Sequence, residues 1–247
     1  RLLHVAHHDD ATGLPNRRLA EDWLGQRLHD VPENRETAVL MIVITNLQEL
    51  SAGLGRRFAD ELLAHIAGQL ARWQGDRSLL ARVDEARFLV MVGSVGPTEA
   101  AELAREIRAV VTEPLHTAGV ALRATVVIGI ACAPLDSGIA AEALRCAEAA
   151  VESAVQAQQN IAFFRRAEDE AQQRRLKIGV DLPAALASDG LHLVYQPKQR
   201  LADGSCRSVE ALVRWDHPLF GPLPPSEFVE IAERTNENTK RASLSTR

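Results

Sequence analysis

The segment Leu79-Leu80-Ala81-Arg82-Val83-Asp84-Glu85-Ala86-Arg87-Phe88-Leu89-Val90-Met91-Val92-Gly93 decides the fold. Two short apolar runs, 79–83 and 88–92, flank a polar link of two acids, one alanine and one cation. Apolar runs joined by a tight polar link read as a β-hairpin. Its turn would present side chains at the end of a sheet, where sites are commonly built.

The sequence around the hairpin alternates between helix and strand periods. Residues 37–44 (Thr-Ala-Val-Leu-Met-Ile-Val-Ile) form an unbroken apolar run, expected of a central strand covered on both faces. Helical spacing predicts helices over 17–29 (Leu19, Trp23, Leu24, Leu28), 57–73 (Leu62, Leu63, Ile66, Leu70), 97–111 (Leu103, Ile107, Val110) and 139–156. A connecting turn and short helix are expected over 45–54, and strands over 121–133 and 161–164. This order predicts an α/β (α+β) domain, a mixed sheet with helices packed on it. Residues 1–8 read as the end of an incoming helix. His7-His8-Asp9-Asp10 suggests a metal site, but adjacent helical residues point apart, so a helix end running into a turn is preferred. Asn16, after Gly13 and Pro15, is the expected N-cap of the first full helix.

Composition narrows the function classes. The chain has 247 residues, 46% hydrophobic and 25% charged, with a net charge of −5. That balance suits a soluble globular protein and gives no broad basic field for nucleic acid. Cys132, Cys146 and Cys206 lack metal-type spacing, which fits a reducing cytoplasm. No apolar run approaches the roughly 20 residues of a membrane helix. The chain starts at Arg1 rather than a methionine, and is expected to be a piece of a longer protein, for which membrane attachment outside this piece stays open.

The last third has a different texture. Residues 165–173 are charged and alanine-rich, expected as a solvated helical linker merging into a helix over 174–187. Two strands, 191–198 and 209–215, surround an Asp203-Gly204 turn. Glu210 and Arg214 share a strand face, open either to an ion pair or to a site. Two strands alone expose their edges, so 190–247 is expected to be poorly ordered or packed against a neighbour. Residues 236–247 are polar enough for a disordered tail.

Two resemblances add to this reading. The entry string His8-Asp9-x-x-Thr12-Gly13-Leu14-Pro15-Asn16-Arg17, together with Arg82, Phe88 and the following strand, resembles the GGDEF domain of bacterial diguanylate cyclases. The resemblance implies a polymerase-palm-like domain over residues 1–165. In that family a strand aspartate and the acids of the signature turn hold two Mg²⁺ ions, hard cations that demand oxygen ligands. The matching positions here are Val43, Ala86 and Arg87; Asp84 and Glu85 stand where the family has glycines. The guanine-reading positions fall on Ser51 and Asp60. The phosphate-binding lysine falls on Val155, the Gly-Arg-Asn string on Gln159 and Asn160, and the feedback-inhibition motif on Gly75 and Ser78. The expectation is a degenerate domain with no catalytic residues, in which Ser51, Asp60 and Asn160 are the candidate contacts if GTP is bound. A single metal on Asp84 and Glu85 is disfavoured, since consecutive acids without a third ligand make a poor Mg²⁺ site.

Tyr195-Gln196-Pro197-Lys198, Glu210-Ala211-Leu212-Val213-Arg214-Trp215, His217-Pro218, Gly221, Pro224, Phe228 and Ala232-Glu233 resemble the start of an EAL domain, the phosphodiesterases of cyclic di-GMP. The resemblance implies a truncated TIM-like barrel over 190–247, preceded by a linker and first helix over 166–189. It implies Glu210 as a metal ligand, for Mg²⁺ or Mn²⁺ in a complete domain only, and Gln196 and Arg214 as dinucleotide contacts. With one carboxylate the fragment itself is expected to be inactive and to hold no metal.

The functional expectation is a cyclic-di-GMP signalling protein whose first domain regulates an EAL domain, by binding GTP or by forming a homodimer. The alternatives are a longer protein that is a cyclic-di-GMP phosphodiesterase, one that is a non-catalytic receptor for the dinucleotide, or a fold reused without nucleotide. An upstream sensor domain is expected as a further partner.

Overall fold

The computed structural model describes residues 7–9, 12–30, 36–188, 190–201 and 203–234. They divide into two compact units with the boundary between Arg166 and Ala167.

The first unit is built on helix α1 (Arg17–Asp30), strand β1 (Thr37–Ile44), helices α2 (Leu47–Leu54) and α3 (Arg56–Leu70), strands β2 (Ser78–Arg82) and β3 (Arg87–Gly93) and helix α4 (Pro97–Val111). It continues with the strands β4 (Leu115–Thr117), β5 (Val120–Leu122) and β6 (Val126–Ala133), helix α5 (Ala140–Gln156) and strand β7 (Ile161–Phe163). The main sheet has the order β2-β3-β1-β6-β7. Its first four strands pair antiparallel, and β7 runs parallel to β6. The sheet is therefore mixed, with the apolar β1 at its centre, where a two-faced hydrophobic run belongs.

Strand alternation sorts the core into two layers. Ala38, Leu40, Ile42 and Ile44 of β1 face α3 and α4, packing with Leu62, Ile66 and Ile107. Val39 and Met41 face α1 and α5, packing with Ala20, Leu24, Leu144 and Ala147. The buried face of α5 is rich in alanine: Ala143, Ala147, Ala150 and Ala154. That small-residue face lets its backbone approach β6 at Gly129, where an added Cβ would meet the Ala147 carbonyl and the Val151 amide.

The structure corrects two expectations. The strand expected over 121–133 is broken at Arg123-Ala124-Thr125. The Asn46 side chain causes the break: its Nδ2 donates to the Arg123 carbonyl at 2.9 Å and its Oδ1 accepts from the Thr125 amide at 2.8 Å. Those backbone groups are then unavailable to a neighbouring strand. The residues before the break pair instead as the small β4–β5 hairpin, tied to α3 by Thr117 Oγ1 donating to Glu61 at 2.7 Å. The expected incoming helix does not reach His7 and His8, which form a turn and an isolated bridge to Pro15; residues 1–6 and Asp10 lie outside the described residues. As expected, the helical linker merges with the helix that follows it: both belong to α6 (Arg166–Ala187), which runs through Pro183.

The second unit contains most of α6, strands β8 (Leu191–Gln199), β9 (Cys206–His217) and β10 (Gly221–Leu223), and helix α7 (Pro225–Arg234). The sheet is antiparallel in the order β10-β9-β8. Its core joins Ile178 and Leu182 of α6 to Trp215, Leu223, Phe228 and Ala232. A third strand and two helices thus supply a core for a hairpin that could not be stable alone. No closed barrel is formed among the described residues. The expected polar tail, 236–247, lies outside them.

Candidate functional site

The β2–β3 turn lies at the end of the main sheet, beside the end of β1: the Ile44 amide donates to the Ala86 carbonyl at 2.9 Å. Arg82, 7% exposed, organises the turn from below. Its Nε donates to the Asp84 carbonyl at 3.2 Å and its Nη2 to the Glu85 carbonyl at 3.1 Å. Its Nη1 reaches the Asp9 carboxylate at 3.0 Å. Asp9 also accepts from the amide and hydroxyl of Thr12, at 2.9 and 2.6 Å. Burial pushes the Asp9 pKa up, but the Thr12 hydrogen bonds and the Arg82 charge outweigh it and hold the pKa below its ordinary value. The entry loop continues to Asn16, whose Oδ1 caps α1 by accepting from the Leu19 amide at 3.1 Å.

Side chains of the turn itself form a chain of alternating charge. Asp84 Oδ1 accepts from the Ala86 amide at 2.9 Å, and its Oδ2 lies 3.3 Å from Arg87 Nε. Arg87 Nη1 is 4.0 Å from Glu148 of α5. Glu148 in turn accepts from Arg17 of α1 at 2.6 Å, and Arg17 also bonds Glu21 at 2.9 Å. Burial opposes the charge on Arg17, yet its two carboxylate partners raise its pKa above the ordinary value. Val43 pairs with Arg87 across the sheet and belongs to the α1–α5 layer. The β1 side of the turn therefore offers methyl groups where a carboxylate could have stood. Glu85 is exposed.

The other nucleotide candidates are separate in chain and setting. Ser51 is half-buried on α2 and Asp60 exposed on α3, consecutive helices; Asn160 is exposed just before β7 and its carbonyl accepts from Ile128 at 2.8 Å. Among the described residues no group of three His, Cys, Asp or Glu is arranged to hold a metal ion.

In the second unit Gln196 and Glu210 are direct cross-strand partners, as are His192 and Arg214. Directly opposed residues share a face, so Gln196, Glu210 and Arg214 lie on one face of the hairpin. Glu210 pairs with Lys198 at 3.2 Å, while Arg214 Nη1 donates to the neighbouring Val213 carbonyl. Sequence spacing left a Glu210–Arg214 ion pair open beside a site; the register places Lys198, the diagonal neighbour from β8, against Glu210. No helix among the described residues is long and apolar enough to cross a membrane.

The family model described as "Diguanylate cyclase, GGDEF domain" matches residues 6–161, and the EAL domain model matches residues 180–240. The chain belongs to the GGDEF family, and its second unit matches the EAL family, the order of a GGDEF–EAL tandem. It is 31% identical over 236 residues to the bifunctional diguanylate cyclase/cyclic di-GMP phosphodiesterase MucR of Pseudomonas aeruginosa, covering 95% of this chain and 34% of MucR. It is 30% identical over 234 residues to the cyclic di-GMP phosphodiesterase NbdA of the same organism, covering 94% of this chain and 30% of NbdA. The chain thus spans about a third of the length of these relatives. The solved GGDEF domain of TpbB (YfiN), also from P. aeruginosa, superposes with a TM-score of 0.63 at 27% identity, covering 68% of this chain and 99% of that domain.

Proposed function

We propose that the first unit is a non-catalytic GGDEF module that binds GTP and regulates an EAL domain in a longer cytoplasmic protein. The observation that carries this reading is the charge arrangement of the signature turn. Joining two nucleoside triphosphates requires divalent ions at the attacking hydroxyl and the leaving pyrophosphate. The positions that resemble the metal ligands are Val43, Ala86 and Arg87, and the adjacent acids Asp84 and Glu148 already lie against the Arg87 guanidinium. The residues present do not fit two Mg²⁺ ions. Ser51, Asp60 and Asn160 are the residues proposed to contact the nucleotide, and a homodimer is the proposed assembly.

The test is incubation of the protein with GTP and Mg²⁺, with product followed by chromatography and binding by calorimetry. The expected result is saturable GTP binding without cyclic di-GMP. Product formation would overturn the non-catalytic reading, and absence of binding at millimolar GTP would leave the unit as a scaffold or dimerisation surface.

A second reading concerns the longer protein, and the shared face of Gln196, Glu210 and Arg214 favours it: a cyclic-di-GMP phosphodiesterase, with Mg²⁺ or Mn²⁺ partly held by Glu210. One carboxylate cannot hold that ion alone. If further ligands are lacking in the longer protein, the same face suits a non-catalytic receptor. Hydrolysis of cyclic di-GMP by the longer protein, lost on Glu210→Gln, separates the two.

A further inference from the structure

The β8–β9 hairpin has one apolar face that its own unit covers only in part. At one end Trp215 and its cross-strand partner Leu191 lie on the side packed by α6 and α7. The same face continues through Leu193, Tyr195 and Pro197 of β8 and their partners Val213, Ala211 and Val209. There the cover ends: Leu193 is 50% exposed, Tyr195 62% and Val209 56%. Contiguous exposed apolar side chains of this kind mark an association surface.

The outer edge of β8 is open beside this stripe. In the order β10-β9-β8, no strand among the described residues pairs with the far side of β8. The Arg200 amide donates inward, to the Ser205 carbonyl at 2.9 Å. The irregularity at Lys198/Gln199 places its extra residue in β9, so β8 itself stays regular. Backbone direction alternates along such a strand. The amides of His192, Val194, Gln196 and Lys198 therefore turn towards β9, and those of Leu193 and Tyr195 turn outward. Pro197, which has no N–H, falls on the outward side, where an edge strand takes proline without losing a bond of its own ladder. A lysine commonly guards such an edge, but Lys198 has its side chain on the other face, paired with Glu210 at 3.2 Å.

We propose that β8 pairs antiparallel with β8 of a second copy of this chain, about a two-fold axis at Val194, joining the two sheets into one. The edge is complementary to itself in that register. Leu193 of each copy lies opposite Tyr195 of the other, each such pair exchanging both of its backbone bonds, and the side chains meet on the apolar face. Pro197 falls opposite Leu191 at the margin, where its missing donor matters least. Residues 235–247 of the chain hold one alanine and one leucine among polar residues, and so offer no apolar strand of their own for this face. The face of Gln196, Glu210 and Arg214 stays uncovered on the opposite side. The inference rests on the homodimer reading above and names the surface that forms it.

Sedimentation equilibrium of the intact chain tests it. A concentration-dependent monomer–dimer equilibrium is expected. Tyr195→Pro removes an outward N–H and the ring while sparing the bonds to β9, and should raise the dimer dissociation constant by about tenfold or more with an unchanged circular dichroism spectrum. A second measurement reads the register without relying on that variant. With the exposed Cys206 replaced by serine, and Cys132 and Cys146 buried, Val194→Cys is expected to give a disulfide-linked dimer on oxidation. Position 194 meets its own copy in a close, non-hydrogen-bonded pair. His192→Cys, opposite Gln196, is expected to stay unlinked. A dimer that Tyr195→Pro does not weaken and Val194→Cys does not link would overturn the β8 edge while leaving the homodimer reading intact. A chain that stays monomeric at every concentration would overturn both; slow hydrogen exchange at Leu193 and Tyr195 in that monomer would assign the edge to the chain's own residues.

Discussion

Asp9 and Arg82, 73 positions apart in the chain, meet at 3.0 Å and fasten the entry loop to the signature turn. Arg82 spends the rest of its guanidinium on the carbonyls of Asp84 and Glu85. One buried cation therefore fixes both the loop that leads into α1 and the turn that carries the candidate site. Arg82→Ala is expected to lower stability by about 3 kcal/mol, because it strands two carbonyls and a carboxylate. Asp9→Asn, which keeps the shape and part of the hydrogen bonding, should cost about 1 kcal/mol. Urea denaturation followed by circular dichroism measures both. Equal, negligible effects would mean that the loop and turn hold their places without this pair.

The same pair sets an acid limit. The folded-state pKa of Asp9 lies below its ordinary value, so its contribution is complete above the unfolded carboxylate pKa of about 3.9. It is lost as pH falls through the lower folded value. Stability measured from pH 7 down to pH 3 should drop less steeply in Asp9→Asn than in the native protein, with the two curves converging at the acid end. Parallel curves would show that other carboxylates account for the acid loss.

Gly129 limits how closely α5 and β6 can pack. A Cβ placed there would run into the Ala147 carbonyl oxygen and lie 2.6 Å from the Val151 amide nitrogen. Both are backbone atoms of a helix, so neither can rotate away. Gly129→Ala is expected to cost about 3 kcal/mol or more, the upper end for overpacking, and Gly129→Val to prevent folding at 37 °C. A thermal midpoint of Gly129→Ala within a degree or two of native would mean that the helix can slide outward at little cost.

Much of the first unit was legible because its elements carry strong local signals. The apolar run of β1, the hairpin around Asp84–Arg87 and the leucine and isoleucine stripe of α3 all appear at their expected positions. What the sequence did not disclose depends on long-range partners. Nothing local to Arg123-Ala124-Thr125 says that a strand must break there; the reason sits on Asn46, about 80 residues earlier, with the separations 77 and 79. The link from Arg87 to Glu148 and Arg17 likewise exists only once α1 and α5 are packed on the same face. The identities of Val43, Ala86 and Arg87 were visible in the sequence, whereas the pairing of Arg87 with Asp84 and Glu148 was visible only as geometry. In the second unit, Lys198 as partner of Glu210 followed from cross-strand register, which spacing along one strand cannot supply.

Asn46 gives a direct test of the broken strand. Asn46→Ala removes the acceptor for the Thr125 amide and the donor to the Arg123 carbonyl. Both contacts are solvent-exposed, so the stability cost should be modest, about 1 kcal/mol. The local effect should be larger: hydrogen exchange at Thr125 is expected to accelerate while exchange at Ile128 and Ile130 in β6 stays slow. Unchanged protection at Thr125 would assign the break to the β4–β5 hairpin rather than to Asn46.

Two polar pairs in the second unit predict opposite outcomes. Lys198 and Glu210 are 61% and 49% exposed, so their 3.2 Å ion pair should contribute little, and Lys198→Ala is expected to change stability by less than about 0.5 kcal/mol. His217 is buried against Trp215 at 5.0 Å and Phe220 at 4.7 Å. Its Nδ1 accepts from the amides of Leu219 and Phe220, at 3.1 and 3.4 Å, and its Nε2 lies 3.0 Å from Asp181 of α6. The ring thus shapes the β9–β10 turn. His217→Ala removes an acceptor from two amides and opens a cavity beside Trp215, a loss of about 3 kcal/mol. Because Trp215 is only 2% exposed, its fluorescence should shift to the red and become open to quenching by iodide in that variant, after Trp23 and Trp73 are replaced by Phe. Unchanged emission from Trp215 would mean that the apolar contacts of Leu223 and Phe228 hold the turn without the histidine.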